Sequence, residues 1–461
     1  VLVVSLLKEH QLTDDEQRLM GRLVKAAAAR SKHDALMERY YEGTQRLAQI
    51  GLAVPPELRR FETVVNWSRI VVDEPVRRLD VRGFVEAGQE QTSDELREQW
   101  EANNLDSGAP MLHTETAKFG RGFVTVGTNE DDREHPIISV EPSRQMVAAV
   151  DTRKRQMAGC LRQYLDFDKQ RRRTLYTPNG TLWLEPTARG WTVVGRDEHR
   201  LGRVPVVMFL NRRRPGDWWG TSEMADAIPL VDAAARSLTN LQVAQESHAV
   251  PARYVFGVDP SKMVDAKTGE PLTVWEAYYT ALMAYAGTGV TAGQFQAADL
   301  KNITDTVQHY GGLLASISGL PIRYFVVSTA NPAAEGAIRA DESRLIKNAE
   351  GKGLDWGDSW GWVMGLSRRF TTGEWAAGNP IRTLWHDAAT PTFAQRADAI
   401  QKLAGGVPIL SREGAWDELG WSEPRKKRER EYFERQDADP YLSALSVKEL
   451  AGGAAGPAAG S

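Results

Sequence analysis

The sequence predicts an α+β chain, with helices at both ends and one block of short antiparallel strands between them. Three observations carry that expectation. From Thr13 to Ala102 apolar residues recur at one-turn spacing; from Arg121 to Phe209 they shorten to runs of about four or five with turn signals between; from Pro229 onward the helical period returns.

The elements follow in order. Thr13 and Glu16 form a capping box ahead of Leu19, Leu23 and Ala27. A second helix is expected from about Lys32 to Gln49, with Leu36, Tyr40 and Leu47 on one side and Gly51 as its C-cap. Asn66 to Asp73 leads into a third helix carrying Val76 and Leu79, and Asp94 to Ala102 is a short helix ending at Asn103-Asn104. The strand-like runs are Phe123–Val126, Ile137–Val140, Met146–Val150, Leu161–Leu165, Arg173–Tyr176, Thr181–Leu184, Trp191–Val194 and Val204–Phe209. Pro178-Asn179-Gly180 marks a hairpin tip, so a single meander is the simplest reading. The clusters Arg153-Lys154-Arg155, Arg171-Arg172-Arg173 and Arg212-Arg213-Arg214 are expected at loops or sheet edges, where charge blunts edge-to-edge pairing.

Thr221, Ser222 and Glu223 open the next segment, which Pro229 kinks or restarts. Pro229 to Val250 lacks glycine, Ala233-Ala234-Ala235 gives it a slim side, and Pro251 stops it. Tyr254–Val258, a Gly269-Glu270 turn, Trp275–Tyr285 and Gly287–Phe295 make a small aromatic insert, and a helix follows from about Leu300 to Ile317. Gly319-Leu320-Pro321 ends it, and Arg323 to Pro332 reads as an exposed loop. In Glu335–Phe370, Ile338, Leu345, Ala349, Trp356, Trp360, Val363 and Phe370 keep a helical period. Unbroken, that helix is about 50 Å long, although Gly351, Gly353, Gly357 and Gly361 leave room for a kink. Ile381–Trp385 is one strand, Phe393–Leu450 helical hairpins, and Ala451–Ser461 a low-complexity tail expected to be disordered.

Composition narrows the function. Of 461 residues, 42% are hydrophobic and 26% charged, the balance of a chain that buries large cores. No apolar run approaches the roughly 18–20 residues of a bilayer span, and Val1–Leu7 has neither a basic leader nor a cleavage site. Cys160 is the only cysteine, which excludes an intrachain disulfide and a thiolate metal cage. Lys plus Arg (57) against Asp plus Glu (61) gives a net charge of −4, against a protein that grips nucleic acid tightly. A soluble protein folding in a cytoplasm is the expectation. Neither a phosphate loop nor a G-x-S-x-G elbow is present. Gly287–Gly293 has the wrong spacing for a dinucleotide fingerprint and is expected to be a flexible loop. The eight histidines show no metal-ligand spacing, and His386-Asp387 would point to opposite faces of a strand. No catalytic, cofactor or metal residue is assigned.

An ordered set of motifs runs along the chain. It comprises Tyr40-Tyr41-Glu42-Gly43, Trp100–Asp106, Arg203–Val207 with Asn211, Gly220–Glu223 leading into Leu230–Ala233, Ser318–Pro321, Asn331–Ile338, and Leu384–Asp387 followed by Pro391. In order and spacing this chain resembles the portal proteins of tailed double-stranded DNA phages, in the siphophage-type family common among phages of actinobacteria. The likeness spans about Thr13 to Tyr441 and departs at Ala333-Ala334, where a serine is expected near the start of the long helix.

The resemblance implies a portal-type fold and a homo-oligomeric ring, usually of twelve subunits, at the capsid vertex where double-stranded DNA enters and leaves. It implies a wing over residues 1–220, stem helices over 221–252 and 300–319, and a clip over 253–299. A tunnel loop would cover 320–334, a spine helix and wing strand 335–392, and an α-helical crown 393–450. The tunnel loop would bring Arg323, Tyr324, Phe325, Val326, Val327, Ser328, Thr329 and Asn331 to the constriction. The clip would present Tyr254, Phe256, Lys262, Lys267, Trp275, Tyr278 and Tyr279 to the terminase motor and later the head-tail adaptor. Arg425, Lys426, Lys427, Arg428 and Arg430 are either a solvated crown face or a DNA contact. Major capsid and scaffolding proteins are further implied partners, with no membrane and no cofactor, in a virion protein made in the host cytoplasm. A channel that lets DNA slide cannot offer dense cations, and Tyr324–Asn331 carries no charge beyond the flanking Arg323. Two alternatives stand beside the portal: an enzyme of phage DNA processing (nuclease or terminase), and another ring-forming virion protein.

Overall fold

A computed structural model describes residues 11–46, 63–249 except 87, 90, 91 and 189, 253–256, 291–294, 300–326, 335–375, 381–389, 393–404, and 408–438 except 422. The chain divides into two compact units, 1–388 and 389–461.

Unit one opens on α1, Asp14–Glu42, with the expected capping box: the Thr13 hydroxyl accepts from the Glu16 amide (3.3 Å) and the Glu16 carboxylate accepts from the Thr13 amide (2.9 Å). It is one rod of 29 residues, not two helices, because nothing between Ala27 and Lys32 breaks the backbone ladder. Its cap is Gly43 in the left-handed region (φ 68°), while Gly51 lies outside the described residues. α2, Trp67–Val76, starts at the Asn66 cap, so Asn66–Asp73 is the helix itself and Leu79 lies beyond it. α3 is Asp94–Ala102, as expected. Strand β1, Val81–Glu86, and α4, Leu105–Phe119, were not anticipated.

The strands that follow are β2 (Arg121–Gly127), β3 (Ile137–Glu141), β4 (Met146–Asp151), β5 (Gln156–Leu165), β6 (Arg171–Tyr176), β7 (Thr181–Thr187), β8 (Gly190–Asp197) and β9 (Val206–Leu210). They form two sheets rather than one meander. β4 to β8 pair in sequence, with the Pro178-Asn179-Gly180 tip joining β6 to β7, whereas β9 returns to β2 in the order β3-β2-β9. Alternation explains the split. Val206 and Met208 on β9 and Phe123 on β2 pack towards Met146, Cys160 and Tyr176 of the larger sheet. Phe209, Val207 and Val124 face the opposite way, into the helical core.

The far face of the larger sheet (Leu161, Leu175, Leu182, Val193) is covered by Met20 and Leu23 of α1. Unit one is therefore layered as helices, three-stranded sheet and five-stranded sheet, with the first half of α1 over the far sheet face and its second half, through Met37 and Tyr40, in the helical core. Arg171–Arg173 occupy β6, the central strand, not an edge. Arg172 is satisfied by Asp166 and Glu185, and Arg173 lies 4.0 Å over the Trp191 ring. Arg153–Arg155 sit in the β4–β5 turn, and Arg212 pairs with Asp226 at 2.6 Å.

The later helices are α5 (Ile228–Ala249), α6 (Lys301–Ser318) and α7 (Glu335–Thr372), and Pro229 starts α5 rather than kinking it. Between α5 and α6, β10 (Arg253–Phe256) pairs antiparallel with β11 (Thr291–Gln294), so Thr291-Ala292-Gly293 is strand where a flexible loop was expected. α7 is unbroken over 38 residues, about 57 Å. Its glycines serve packing, not bending: β12 (Ile381–Trp385), which pairs with β1, lies across Gly353, Gly357 and Gly361. A Cβ at Gly361 would stand 2.2 Å from the Ile381 carbonyl oxygen.

α7 fills the core with Trp356 and Trp360, which hold His113 of α4. His113 stacks on Trp356 (centroids 5.1 Å apart), and its Nε2 accepts from Trp360 Nε1 at 3.0 Å. Burial pushes this imidazole down to about 3. The unfolded chain protonates near the ordinary value of about 6.5 and the folded chain does not. Stability from His113 is therefore full above that value and falls as pH drops towards 3, by about 1.4 kcal/mol per pH unit at most. In His113→Gln, the stability gap to the parent chain should narrow by about 2 kcal/mol between pH 7 and pH 5 in urea titrations. A gap that stays constant would contradict a buried neutral imidazole.

Unit two comprises α8 (Phe393–Ala404), α9 (Arg412–Glu418) and α10 (Glu423–Ala438). Trp416 stacks on Trp421 and Phe433 to form its centre. The helical expectation for Phe393–Leu450 holds as far as Ala438, and 439–461 lie outside the described residues.

Candidate channel-forming site

α5 and α6 pack as an antiparallel pair. The slim side of α5 (Val231, Ala234) meets Leu314 and Ala315 of α6, with Trp67 and Val71 of α2 and Leu345 of α7 closing the cluster. Tyr40 of α1 donates its hydroxyl to both oxygens of Asp232 on α5, each at 2.9 Å. Burial and then Asp232 push that hydroxyl up to about 12, so it remains a donor at any working pH.

The root of α5 is clamped to the sheet. Gly120 (φ 85°) and Gly220 (φ 64°) bring two backbones together: a Cβ at Gly220 would lie 2.0 Å from the Gly120 carbonyl oxygen. That approach lets the Asn211 amide donate to Gly120 (2.8 Å) and the Glu223 amide to Ala117 (2.8 Å). Asn211 Nδ2 then donates to the Thr221 carbonyl and to Glu223 Oε2, both at 2.8 Å. Lys352 of α7 completes the network, donating to Asn211 Oδ1 (2.6 Å) and Glu223 Oε2 (2.7 Å). Burial pushes the Glu223 carboxyl up, but Lys352, Asn211 and Asn348 outweigh it and hold the group below the usual range. Asn211, Gly220 and Glu223, weak as motifs in isolation, are thus one junction.

The expected exposed loop starts later than Arg323. Ile322–Tyr324 is a 3-10 turn folded onto the helices. Phe325 is buried edge-on against Trp67 (centroids 6.0 Å apart), and Val326 packs on Gly311. Arg323 pairs with Asp341 and Glu342 of α7; Glu342 also takes Arg78 at 2.9 Å. Arg323 to Val326 thus hold the base of the segment by apolar burial and ion pairing, while Val327, Ser328, Thr329 and Asn331 lie outside the described residues. Of the clip residues, Tyr254 and Phe256 lie on β10, and Lys262, Lys267, Trp275, Tyr278 and Tyr279 fall outside the described residues.

In α10 the five cations do not form one free patch. Arg430 is bidentate to Glu413 (2.8 Å twice), Arg425 stacks 4.2 Å over Trp421, and Lys426 is buried. Lys427 and Arg428 are exposed. Among the described residues no group of three or more His, Cys, Asp or Glu side chains could hold a metal ion, and no helix is long and apolar enough to cross a membrane.

The profile of the family "Phage portal protein, SPP1 Gp6-like" matches residues 25–440. The chain belongs to this family. The portal protein of Mycobacterium phage L5 is 34% identical over 450 residues, covering 94% of this chain and 91% of the relative. That of Mycobacterium phage D29 is 35% identical over 412 residues, covering 87% and 84%. A chain from the virion of a native gene transfer agent particle overlays with a TM-score of 0.46 and 12% identity, over 82% of this chain and 96% of that one. One from the neck of an empty gene transfer agent particle overlays with a TM-score of 0.47 and 13% identity, over 81% and 95%. Portal proteins are structural virion components that form the ring-shaped DNA channel at a capsid vertex, used in packaging and ejection.

Two residues of this portal chain that position the site were not singled out from sequence: Lys352 and Glu342. Lys352 had a signal. It falls between Ala349 and Trp356 on the buried side of α7, and a lysine there requires a buried partner. Glu342 had none, because its partners Arg78 and Arg323 are distant in the chain.

Proposed function

We propose that copies of this chain stand side by side in a ring, twelve in the family's usual form, with α5 and α6 as the stem around the DNA path. The observation that carries this reading is the clamped root of α5, which fixes a slim two-helix rod to the layered sheets through Asn211, Glu223 and Lys352. In this reading unit one up to about residue 220 is the wing, β10–β11 belongs to the clip, α7 is the spine and unit two is the crown. The segment after Val326 is the tunnel loop, and its anchored base sets where the loop enters the channel. The terminase motor and head-tail adaptor dock at the clip, and capsid and scaffolding proteins meet the wing. The role is a conduit without catalysis. Native mass spectrometry of the purified chain tests it: a closed oligomer near twelve subunits is expected, and a monomer at micromolar concentration would contradict it.

A further inference from the structure

We propose that the exposed face of α1 is a second contact for duplex DNA, a basic stripe that meets the phosphate backbone and is distinct from the α5–α6 pair. The inference goes beyond the ring reading and does not depend on it.

The charges of α1 are sorted by side. Every carboxylate after Asp15 is engaged by another element. Glu16 takes Arg196 of β8 (2.7 Å), Asp34 takes Arg121 of β2 (2.7 Å), Glu38 takes Lys118 of α4 (3.0 Å) and Glu42 takes Arg69 of α2 (2.9 Å). What remains exposed from Gln17 to Tyr41 is Arg18, Arg22, Lys25, Lys32 and Arg39, five cations and no carboxylate. Only Arg18 has an ion-pair partner among the described residues, the exposed Asp15 at 3.5 Å. Like charges left in a row without counter-charge repel one another and attract a polyanion from outside.

The five cations fall within an arc of about 100° on the helix. Their drift along it follows the buried side, which turns from Met20 and Leu23 in the first half to Met37 and Tyr40 in the second, so the stripe stays outermost throughout. Over 21 residues it is about 32 Å long, close to the roughly 34 Å of one duplex turn. Between the cations stand Gly21, Ala28 and Ala29, all exposed and too small to hold a phosphate backbone away from the helix.

The composition of the stripe favours DNA over a protein partner. Leu36, at 37% exposure, is its only exposed large apolar side chain, and it has no exposed aromatic residue. A protein contact is built on an apolar or aromatic centre and is depleted of lysine. Phosphate contacts are made by arginine and lysine and carry no sequence information. The net charge of −4 sets the strength: the contact is local, weak and steeply dependent on salt, which a protein that passes DNA tolerates.

The test compares the full chain with two variants that remove equal charge. One carries Arg22→Gln, Lys25→Gln and Lys32→Gln; the other carries Arg153→Gln, Lys154→Gln and Arg155→Gln in the exposed β4–β5 turn. Glutamine keeps the helix propensity of α1, and circular dichroism checks the fold. Fluorescence anisotropy of a short labelled duplex of mixed sequence is followed between about 50 and 200 mM salt. The α1 variant should bind at least about tenfold more weakly at the lower salt, with the slope of log affinity against log salt reduced by about two to three. The β4–β5 variant should match the parent within about twofold, and Arg22→Lys with Lys25→Arg and Lys32→Arg should also bind like the parent, because backbone contacts need charge rather than one side chain. A parent that shows no salt-dependent binding, an α1 variant that binds as the parent does, or equal losses in both charge-removal variants would overturn the proposal. Loss of the oligomer by mass photometry in the α1 variant would overturn it in favour of a protein contact.

Discussion

Lys352→Met should destabilise unit one by about 3–5 kcal/mol, measured as a shift of the urea midpoint at unchanged slope. Methionine fills the volume of the lysine stem, so the loss is electrostatic: Glu223 and Asn211 Oδ1 are left buried without their donor. The pH dependence separates this from lost packing. In the parent chain Glu223 is held below the usual carboxylate range, so its stabilisation is present above that range and disappears as pH falls through the lowered value. Without the Lys352 cation, burial pushes the carboxyl up, and the variant's deficit should be larger at pH 8 than at pH 5. Adding Glu223→Gln to Lys352→Met should recover most of the loss, because no buried charge then lacks a partner. A single variant within about 1 kcal/mol of the parent would show that the junction does not depend on this network.

Glycine-to-alanine substitutions on α7 should have opposite signs at two positions ten residues apart. At Gly351 an added Cβ meets nothing within 4 Å, so alanine should stabilise by about 0.5–1 kcal/mol through helix propensity alone. At Gly361 the Cβ would stand 2.2 Å from the Ile381 carbonyl oxygen, which belongs to the backbone of β12 and moves only if the β1–β12 pairing moves. Overpacking of this kind costs about 1–3 kcal/mol or more, which exceeds the propensity gain. Thermal melts of both variants decide the matter. Equal signs would mean that the glycine row is not a seat for β12.

The outcome at these glycines shows where sequence reasoning reached and where it stopped. Local signals were sufficient for the Thr13–Glu16 capping box, the Gly319 stop after α6, the eight strand cores between β2 and β9, and the strand Ile381–Trp385. Long-range pairing was not legible. β1 has a short apolar core whose partner lies some 300 residues away, and β9 reads as the last strand of a meander although its alternation matches β2. A glycine that permits a kink and one that seats a strand look identical in sequence, since the difference lies in what crosses above it. The junction followed the same logic: Asn211, Gly220 and Glu223 were visible as family motifs, but their chemistry needed Lys352, which arrives from α7. Phe325 and Val326, consecutive apolar residues in an apparent loop, turned out to be its anchor.

An electron cryomicroscopy map of the purified oligomer at subnanometre resolution tests the central claim most directly. The account predicts a ring with an open axial hole, in which the α5–α6 rod of each copy stands beside those of its neighbours around the opening. A closed assembly with no hole, or a ring in which α5 and α6 face away from the axis, would contradict it.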